Sequence, residues 1–141
     1  AYARRGGEII AAQLREVGIT AEIENLEWAQ WLEQVFRGKD FNLTIVSHTE
    51  PMDIGIYAKP DYYFQYDNAE LQSMMTAFST ETDQDKRTSI LQDAQKIISE
   101  DYVNGYLFQL AKTGVANSKI QGLWENSPTQ ANDLTAVYWE D

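Results

Sequence analysis

Residues 8 to 24 read Glu-Ile-Ile-Ala-Ala-Gln-Leu-Arg-Glu-Val-Gly-Ile-Thr-Ala-Glu-Ile-Glu, and the spacing of the apolar side chains changes at Gly18. Before Gly18 the apolar residues recur at helical spacing, which predicts a helix over 8–17 with this glycine as its left-handed C-cap. After Gly18, apolar and polar residues alternate up to residue 24, which predicts a strand with one buried face. A helix followed at once by a strand is typical of an α/β domain.

The alternation of helices and strands continues along the chain. A second helical pattern starts at Trp28 and stops before Gly38, and the β-branched stretch 41–46 predicts a buried strand. Two further helices are predicted between residues 68 and 100, and short strands at 106–110 and 136–139. We therefore expect a mixed sheet flanked by helices, with parallel pairing where a helix separates two strands. The apolar stripes of the two later helices are Leu71, Met74, Met75 and Phe78, and Ile90, Leu91, Ala94, Ile97 and Ile98.

Composition excludes several classes of function. The 141 residues carry a formal net charge of −11, and such an acidic surface repels nucleic-acid phosphates and anionic lipid headgroups. No apolar run is long enough to cross a membrane, and residues 1 to 20 hold no signal-peptide pattern. The absence of cysteine rules out disulfides, thiolate nucleophiles and cysteine-based metal sites. The length is sufficient for one hydrophobic core.

Polar side chains that could form a site follow the predicted strand 41–46. His48, Glu50 and Asp53 come just after its end, where open α/β sheets place their ligand crevices. One histidine with two carboxylates is also a possible metal-ligand set. Ser47 beside His48 is a poor nucleophile–base pair, because neighbours on a strand point to opposite faces. A binding site, a metal site and a hydrolytic site are thus the three alternatives for this segment.

The long irregular segment 48–67 is rich in aromatic residues, which are Tyr57, Tyr62, Tyr63, Phe64 and Tyr66. Such residues can stack on a ligand while their hydroxyls orient it. Alternatively, they cover the edge of the sheet. Trp28 and Trp31 lie at helical spacing and are predicted to belong to the core. Gly6-Gly7 lacks the pattern of a phosphate-binding loop, so nucleotide binding is not expected.

Several segments occur in an order that resembles the C-terminal lobe of extracytoplasmic solute-binding proteins of the ABC-importer peptide- and nickel-binding family. The resemblance covers about residues 8 to 110. The matching segments are Ile9-Ile10-Ala11-Ala12-Gln13-Leu14-Arg15-Glu16-Val17-Gly18-Ile19, Glu27-Trp28-x-x-Trp31, Gly38-Lys39-Asp40-Phe41-Asn42-Leu43, Tyr66-Asp67-Asn68-Ala69-Glu70-Leu71, Asp85-Lys86-Arg87 and Gln95-Lys96-Ile97-Ile98-Ser99-Glu100-Asp101. The resemblance implies one lobe of the type II periplasmic-binding-protein fold in a bacterial clamshell protein. Such a protein captures a small solute without catalysis and delivers it to a membrane permease.

The resemblance also implies where the ligand binds. In this family the strand that ends near Ser47 faces the cleft, and peptide binders place there an aspartate that holds the ammonium group of the peptide. Here the acidic-Pro pair of that region is Glu50-Pro51, the aspartate's place falls on Ser47 or Glu50, and Ser47-His48 replaces the usual Gly-Trp. The expected ligand-binding residues are Ser47, His48, Thr49, Glu50, Asp53, Tyr57, Tyr62 and Tyr63. No catalytic residue, cofactor or resident metal is expected.

A complete member of the family has several hundred residues, so the resemblance implies that the chain is a fragment or a truncation. Residues 8–116 would form the lobe, and 117–141 a tail that returns to a missing N-terminal lobe. A signal peptide would belong to the missing part, and the protein would be periplasmic or otherwise extracytoplasmic. Two alternatives remain: a protein-interaction or receptor domain derived from this fold, and a metal-binding or hydrolytic domain around His48, Glu50 and Asp53.

Overall fold

The computed structural model describes residues 2–49, 52–109, 111, 113–125 and 133–141, which are mostly helical. None of the helices in these ranges combines the length and the apolar character that crossing a bilayer requires. The helices are α1 (Tyr2–Glu16), α2 (Trp28–Trp31), α3 (Ala69–Thr80) and α4 (Gln84–Glu100). A π-helix over Leu32–Arg37 continues α2, and a 3₁₀ helix spans Asp53–Ala58 within the segment expected to be irregular. The strands are β1 (Ile120–Gln121) and β2 (Tyr138–Trp139).

The chain divides into two compact units. The first comprises Ala1–His48 and Lys59–Tyr66, and the second comprises Thr49–Ala58 and Asp67–Asp141. The chain passes from one unit to the other three times, so each unit contains residues that are distant in sequence. Each unit is described by itself below.

The helix predicted over 8–17 is confirmed as α1, which begins earlier, at Tyr2. Its end is also confirmed, since Gly18 has φ of +86°. The backbone N–H of Ile19 donates to the carbonyl of Leu14 at 2.9 Å, and that of Gly18 donates to Arg15 at 3.1 Å. This pair of bonds is a Schellman motif, which satisfies carbonyls that the last turn leaves without helical partners.

The strands predicted over 19–24, 41–46 and 106–110 are not formed in the described residues, where 19–24, 41–46 and 106–109 carry no ladder hydrogen bonds. The mixed sheet of an α/β lobe is therefore absent from the described part of the chain. The physical reason is that alternation predicts which face an extended segment buries, whereas a strand also needs a neighbouring strand to pair with. Ile19 and Ile23 are 53% and 47% exposed, so even their predicted buried face is only partly covered.

Two of these unpaired segments nevertheless lie against α1. A Cβ atom added to Gly7 would be 3.8 Å from Cδ1 of Ile45 and 3.9 Å from Cδ1 of Ile23. Gly7 therefore marks the place where both segments approach the helix. Ala11 lies one turn further along α1 and is buried. This contact positions the end of segment 41–46, and with it Ser47 and His48, in the first unit.

The second unit contains the two helices predicted between residues 68 and 100, which are α3 and α4 and which contact each other. Leu71 of α3 is fully buried, as is Ala94 of α4, and Ile98 is 3% exposed. The remaining members of both predicted apolar stripes are half-buried, which confirms the stripes. Asn68 caps α3 by accepting a hydrogen bond from the backbone N–H of Leu71 at 3.0 Å.

The strand predicted over 136–139 is confirmed in part by β2, which pairs antiparallel with β1 through Ile120 opposite Trp139 and Gln121 opposite Tyr138. Gly122 directly follows β1 and has a φ of +76°. A Cβ atom at this position would lie 2.0 Å from the carbonyl oxygen of Ala136, which is a severe overlap. The boundary expected at residue 117, with a return to another lobe, stays a prediction.

Candidate functional site

The residues expected to bind a ligand are distributed over both units. Ser47, His48, Tyr62 and Tyr63 belong to the first unit, and Thr49, Asp53 and Tyr57 belong to the second. Glu50 and Pro51, the acidic-Pro pair, lie outside the described residues.

In the first unit, His48 is held beside Tyr63. Its Nε2 atom lies 3.1 Å from the hydroxyl oxygen of Tyr63, and the two rings are nearly parallel with centroids 6.0 Å apart. His48 is exposed, whereas Tyr63 is only 6% exposed. The imidazole is therefore accessible to a solute while its orientation is supported from the interior.

Tyr63 is the centre of an aromatic cluster in the first unit. Its ring centroid lies 5.6 Å from Trp31, 5.5 Å from Phe36 and 5.9 Å from Phe41. Tyr62 and Phe64 add contacts with centroids at 5.1 and 5.2 Å. Edge-to-face and tilted pairs at these separations are favourable beyond the apolar area they bury. This cluster holds the segment 62–64 against the π-helix.

The aromatic residues of 62–66 are thus turned largely into the unit. Tyr62, Phe64 and Tyr66 are half-buried, and Tyr63 is buried. These aromatic side chains were predicted either to stack on a ligand or to cover the edge of the sheet. Most of their surface is instead covered by packing within the unit. Tyr63 therefore affects the exposed surface by orienting the side chain of His48.

Ser47 is tied to the start of α1. Its backbone N–H donates a hydrogen bond of 3.0 Å to the hydroxyl oxygen of Tyr2. Beside this bond lies an open groove with a volume of about 260 Å³. The groove is lined by Tyr2, Ala3, Leu26, Trp28, Trp31, Ile45 and Val46. Its walls are mostly apolar, and the segment that forms one wall leads directly to Ser47.

The two tryptophans form an aromatic wall of this groove. Their rings stack with an interplanar angle of 6° and centroids 4.9 Å apart. Trp31 is anchored because its indole N–H donates to Oγ1 of Thr44 at 2.9 Å. Trp28 is 62% exposed, so the expectation that it belongs to the core is wrong. The helical spacing was correct, but α2 is only four residues long and leaves Trp28 at its first turn.

Tyr2 and Trp28 were not among the expected site residues. A signal for Trp28 was present, since it follows the segment 19–24 just as Ser47 follows 41–46. The rule that crevices form at the carboxyl ends of neighbouring strands applies to both positions. Tyr2 had no comparable signal, because the helical pattern starts only at residue 8 and does not show how far the helix extends before it.

In the second unit, Tyr57 is the centre of a polar network. Its hydroxyl accepts a hydrogen bond from Nδ2 of Asn104 and lies 3.3 Å from the hydroxyl of Tyr106. Burial, the neighbouring Tyr106 and the charge of Asp53 raise the pKa of Tyr57 well above its usual range, while the bond from Asn104 acts in the opposite direction. The strand predicted over 106–110 is not formed in the described residues, and its first residue, Tyr106, together with Asn104, supplies hydrogen-bond partners to Tyr57 of the 3₁₀ helix.

The metal and hydrolytic alternatives involve residues that the structure describes only in part. Within the described ranges, no three histidine, aspartate or glutamate side chains come together as a metal site requires. Glu50 lies outside these ranges, so the set His48, Glu50 and Asp53 stays a prediction.

The sequence is similar to that of a known periplasmic protein. The chain is 28% identical over 123 residues to the probable D,D-dipeptide-binding periplasmic protein DdpA of Escherichia coli strain K12. The match covers 79% of this chain and 23% of that protein, so the chain spans about a quarter of its length. No family model matches the sequence. No solved structure matches at a significant level. The similarity to DdpA supports a relationship with solute-binding proteins.

Proposed function

We propose that the chain is the ligand-binding lobe of an extracytoplasmic solute-binding protein that captures a small, peptide-like polar solute for an ABC importer. The observation that carries this proposal is the similarity to a dipeptide-binding periplasmic protein over 79% of the chain. The order of segments from residue 8 to residue 110, which resembles the C-terminal lobe of such proteins, supports it independently of any single motif.

The surface of the first unit has the chemistry that such a ligand needs. The apolar groove with its stacked tryptophans accommodates an apolar group, and Ser47 and His48 supply polar groups beside it. Ligand sites commonly combine an apolar wall with a few oriented polar groups. A volume of about 260 Å³ is smaller than a typical site for a whole drug-sized ligand, so the groove would receive one part of the solute.

The polar part of the solute is proposed to be cationic or zwitterionic. The net charge of −11 disfavours anions, and a carboxylate at Glu50 or Asp53 would pair with an ammonium group. In the first unit, Tyr62 completes the proposed contact set and Tyr63 supports it by positioning His48. Thr49 and Tyr57 of the second unit are proposed contacts as well. The proposed binding mechanism is closure of a second lobe over the solute. Closure excludes water from the site and slows release of the ligand.

The fold of the complete protein follows from the same proposal. Segments 19–24 and 41–46 would become strands of a mixed α/β sheet when neighbouring strands are available to pair with them. The tail 117–141 would return to the N-terminal lobe. Closure of the lobes would produce the surface that the permease recognises, in the periplasm or an equivalent compartment.

The proposal is tested by calorimetric titration of the full-length protein with a D,D-dipeptide and with an L,L-dipeptide as probes. We expect binding of at least one probe, and Trp28→Ala should weaken it by about tenfold because the groove loses its exposed aromatic wall. Trp139→Ala is the matched control, since Trp139 is similarly exposed but belongs to the β1–β2 hairpin. Equal losses in both variants, or no binding of either probe, would contradict the proposal.

The role of the acidic-Pro segment requires its own variant. Glu50→Gln removes the carboxylate proposed to hold an ammonium group and should weaken binding by well over tenfold. Glu22→Gln, a change at an exposed position in the first unit, should leave affinity unchanged. An unaltered affinity in Glu50→Gln would contradict the proposed pairing of a carboxylate in this segment with an ammonium group of the solute.

A further inference from the structure

The dipeptide Asn104-Gly105 occurs just after α4 and is the only Asn-Gly pair in the sequence. Both residues are exposed and lie in the part of 103–109 that has no regular secondary structure. A Cβ atom added to Gly105 would meet nothing within 4 Å, so the space around this glycine is open. The carboxamide of Asn104 is bonded to the hydroxyl of Tyr57, which connects this exposed dipeptide to the polar network of the second unit.

We propose that Asn104 is a site of spontaneous deamidation, and that its conversion rearranges the hydrogen bonds of Tyr57. In the first step the backbone nitrogen of Gly105 attacks Cγ of Asn104, a C–N bond forms, and the side-chain amide leaves as ammonia with the proton from the backbone nitrogen. The product is a five-membered succinimide. Water then adds to one of its two carbonyls and opens the ring, which gives aspartate or isoaspartate at position 104.

The surroundings of Asn104 favour this reaction over reaction at other asparagines. A residue after asparagine that lacks Cβ lets the backbone reach the conformation in which its nitrogen faces the carboxamide. Asn68 is held more firmly, because its Oδ1 caps α3 and its Nδ2 donates to Asp101 at 2.9 Å. The side chain of Asn117 accepts a bond of 3.0 Å from the backbone N–H of Lys119, and a serine follows it.

The product changes the network in two ways. Aspartate at 104 replaces a donor to Tyr57 with a negatively charged acceptor, so the tyrosine hydroxyl becomes the donor. The bond from Asn104 lowers the pKa of Tyr57, and its replacement by a carboxylate raises that pKa further. Isoaspartate also lengthens the main chain between Asn104 and Tyr106, which disturbs the 3.3 Å contact between the hydroxyls of Tyr57 and Tyr106.

The reaction is tested by incubating the purified protein at mildly alkaline pH and measuring each asparagine-containing peptide by mass spectrometry. We expect conversion at Asn104 to exceed that at Asn117 by about tenfold or more, with both aspartate and isoaspartate formed. Gly105→Ala, which fits without a steric clash, should slow conversion at residue 104 by about tenfold. Asn104→Gln is a second variant, because the longer side chain of glutamine cannot form the five-membered succinimide. Equal conversion at Asn104 and Asn117, or an unchanged rate in Gly105→Ala, would overturn the proposal.

The link to Tyr57 is tested separately with Asn104→Asp, which reproduces the aspartate product. Ultraviolet absorbance of tyrosinate during an alkaline titration should show one tyrosine that ionises later in Asn104→Asp than in the unmodified protein. Tyr57→Phe should remove this late signal from both proteins. Identical titrations of Asn104→Asp and the unmodified protein would show that conversion at 104 leaves the Tyr57 network unchanged, contrary to the proposal.

Discussion

The Nε2 atom of His48 lies 3.1 Å from the hydroxyl oxygen of Tyr63, and this contact joins an exposed imidazole to the centre of a buried aromatic cluster. His48 is the only histidine in the chain, so its imidazole gives unique signals in magnetic resonance spectra. The effect of Tyr63 on this ring can therefore be measured directly.

Tyr63→Phe should preserve the fold and remove the hydrogen bond between Tyr63 and His48. The phenylalanine ring retains the packing against Trp31, Phe36 and Phe41, and the lost hydrogen bond should cost about 1 kcal/mol in free energy of unfolding. We expect the imidazole signals of His48 to shift, because the ring loses the hydroxyl that lies 3.1 Å from its Nε2 atom. Chemical denaturation and magnetic resonance of the lone histidine give both readouts.

Tyr102→Phe provides the comparison for that variant, because Tyr102 is 88% exposed and its hydroxyl contributes little burial. Its denaturation midpoint and the His48 signals should match those of the unmodified protein. If the imidazole signals in Tyr63→Phe also match, then the hydroxyl of Tyr63 does not hold His48.

Tyr57 should make the protein less stable at high pH. Its pKa is raised in the folded state, chiefly by burial, so folding favours the neutral phenol. The stabilising contribution is fully present below the unfolded pKa of about 10 and is lost as the pH rises past it, because the unfolded chain releases this proton first. Stability measured by denaturation from pH 9 upward should fall less steeply in Tyr57→Phe. A parallel decline in both proteins would argue against the effect.

Gly122→Ala should open the β1–β2 hairpin. The added Cβ would lie 2.0 Å from the carbonyl oxygen of Ala136, and a φ of +76° is costly for alanine. Strain of this kind costs on the order of 1–3 kcal/mol per residue, which is comparable to the stability of an isolated short hairpin. The expected result is a change in the fluorescence of Trp139 and loss of the 2.7 Å hydrogen bond from the backbone N–H of Glu140 to the carbonyl of Lys119.

Gly114→Ala is the matched control for the hairpin variant, since a Cβ atom there would meet nothing within 4 Å. It should leave tryptophan fluorescence and the amide exchange of Glu140 unaltered. Equal amide exchange of Glu140 in Gly122→Ala and in the unmodified protein would mean that the strand pair accommodates the new side chain.

Arg87 should stabilise the junction between α3 and α4. Its Nη1 donates to the carbonyls of Phe78 and Glu81 at 2.9 Å each, and its guanidinium lies 4.0 Å from the ring centroid of Phe78. Arg87→Met removes these bonds and leaves two carbonyls at the end of α3 without this partner. We expect a loss of about 2 kcal/mol in free energy of unfolding.

Lys86→Met is the neighbouring substitution for comparison, because the side chain of Lys86 is exposed while its backbone N–H remains capped by Asp83 at 3.0 Å. Its unfolding free energy should change by less than about 0.5 kcal/mol, as is usual for exposed positions. Equal losses in the two variants would show that charge rather than the bonds of Arg87 matters at this junction.

Local features of the chain were predictable from sequence because they depend on neighbours in sequence. The helix ending at Gly18 and the stripes of α3 and α4 follow from helical periodicity and capping chemistry. The order of segments also predicted a relationship with solute-binding proteins. The similarity to DdpA supports that relationship. The position of Ser47 and His48 after an extended segment could be predicted in the same way.

The tertiary structure alone decided which surfaces meet. Alternation over 19–24 predicted a strand, but pairing requires a neighbouring strand, which sequence periodicity does not specify. Likewise, helical spacing did not distinguish the exposed Trp28 from the anchored Trp31, since burial depends on what packs against a helix rather than on the helix itself. The contacts of His48 with Tyr63 and of Tyr57 with Asn104 join residues 15 and 47 positions apart. Such distant pairs form only when packing brings their segments together. The sequence by itself therefore determined the helices, whereas the tertiary packing determined which residues meet at the candidate site.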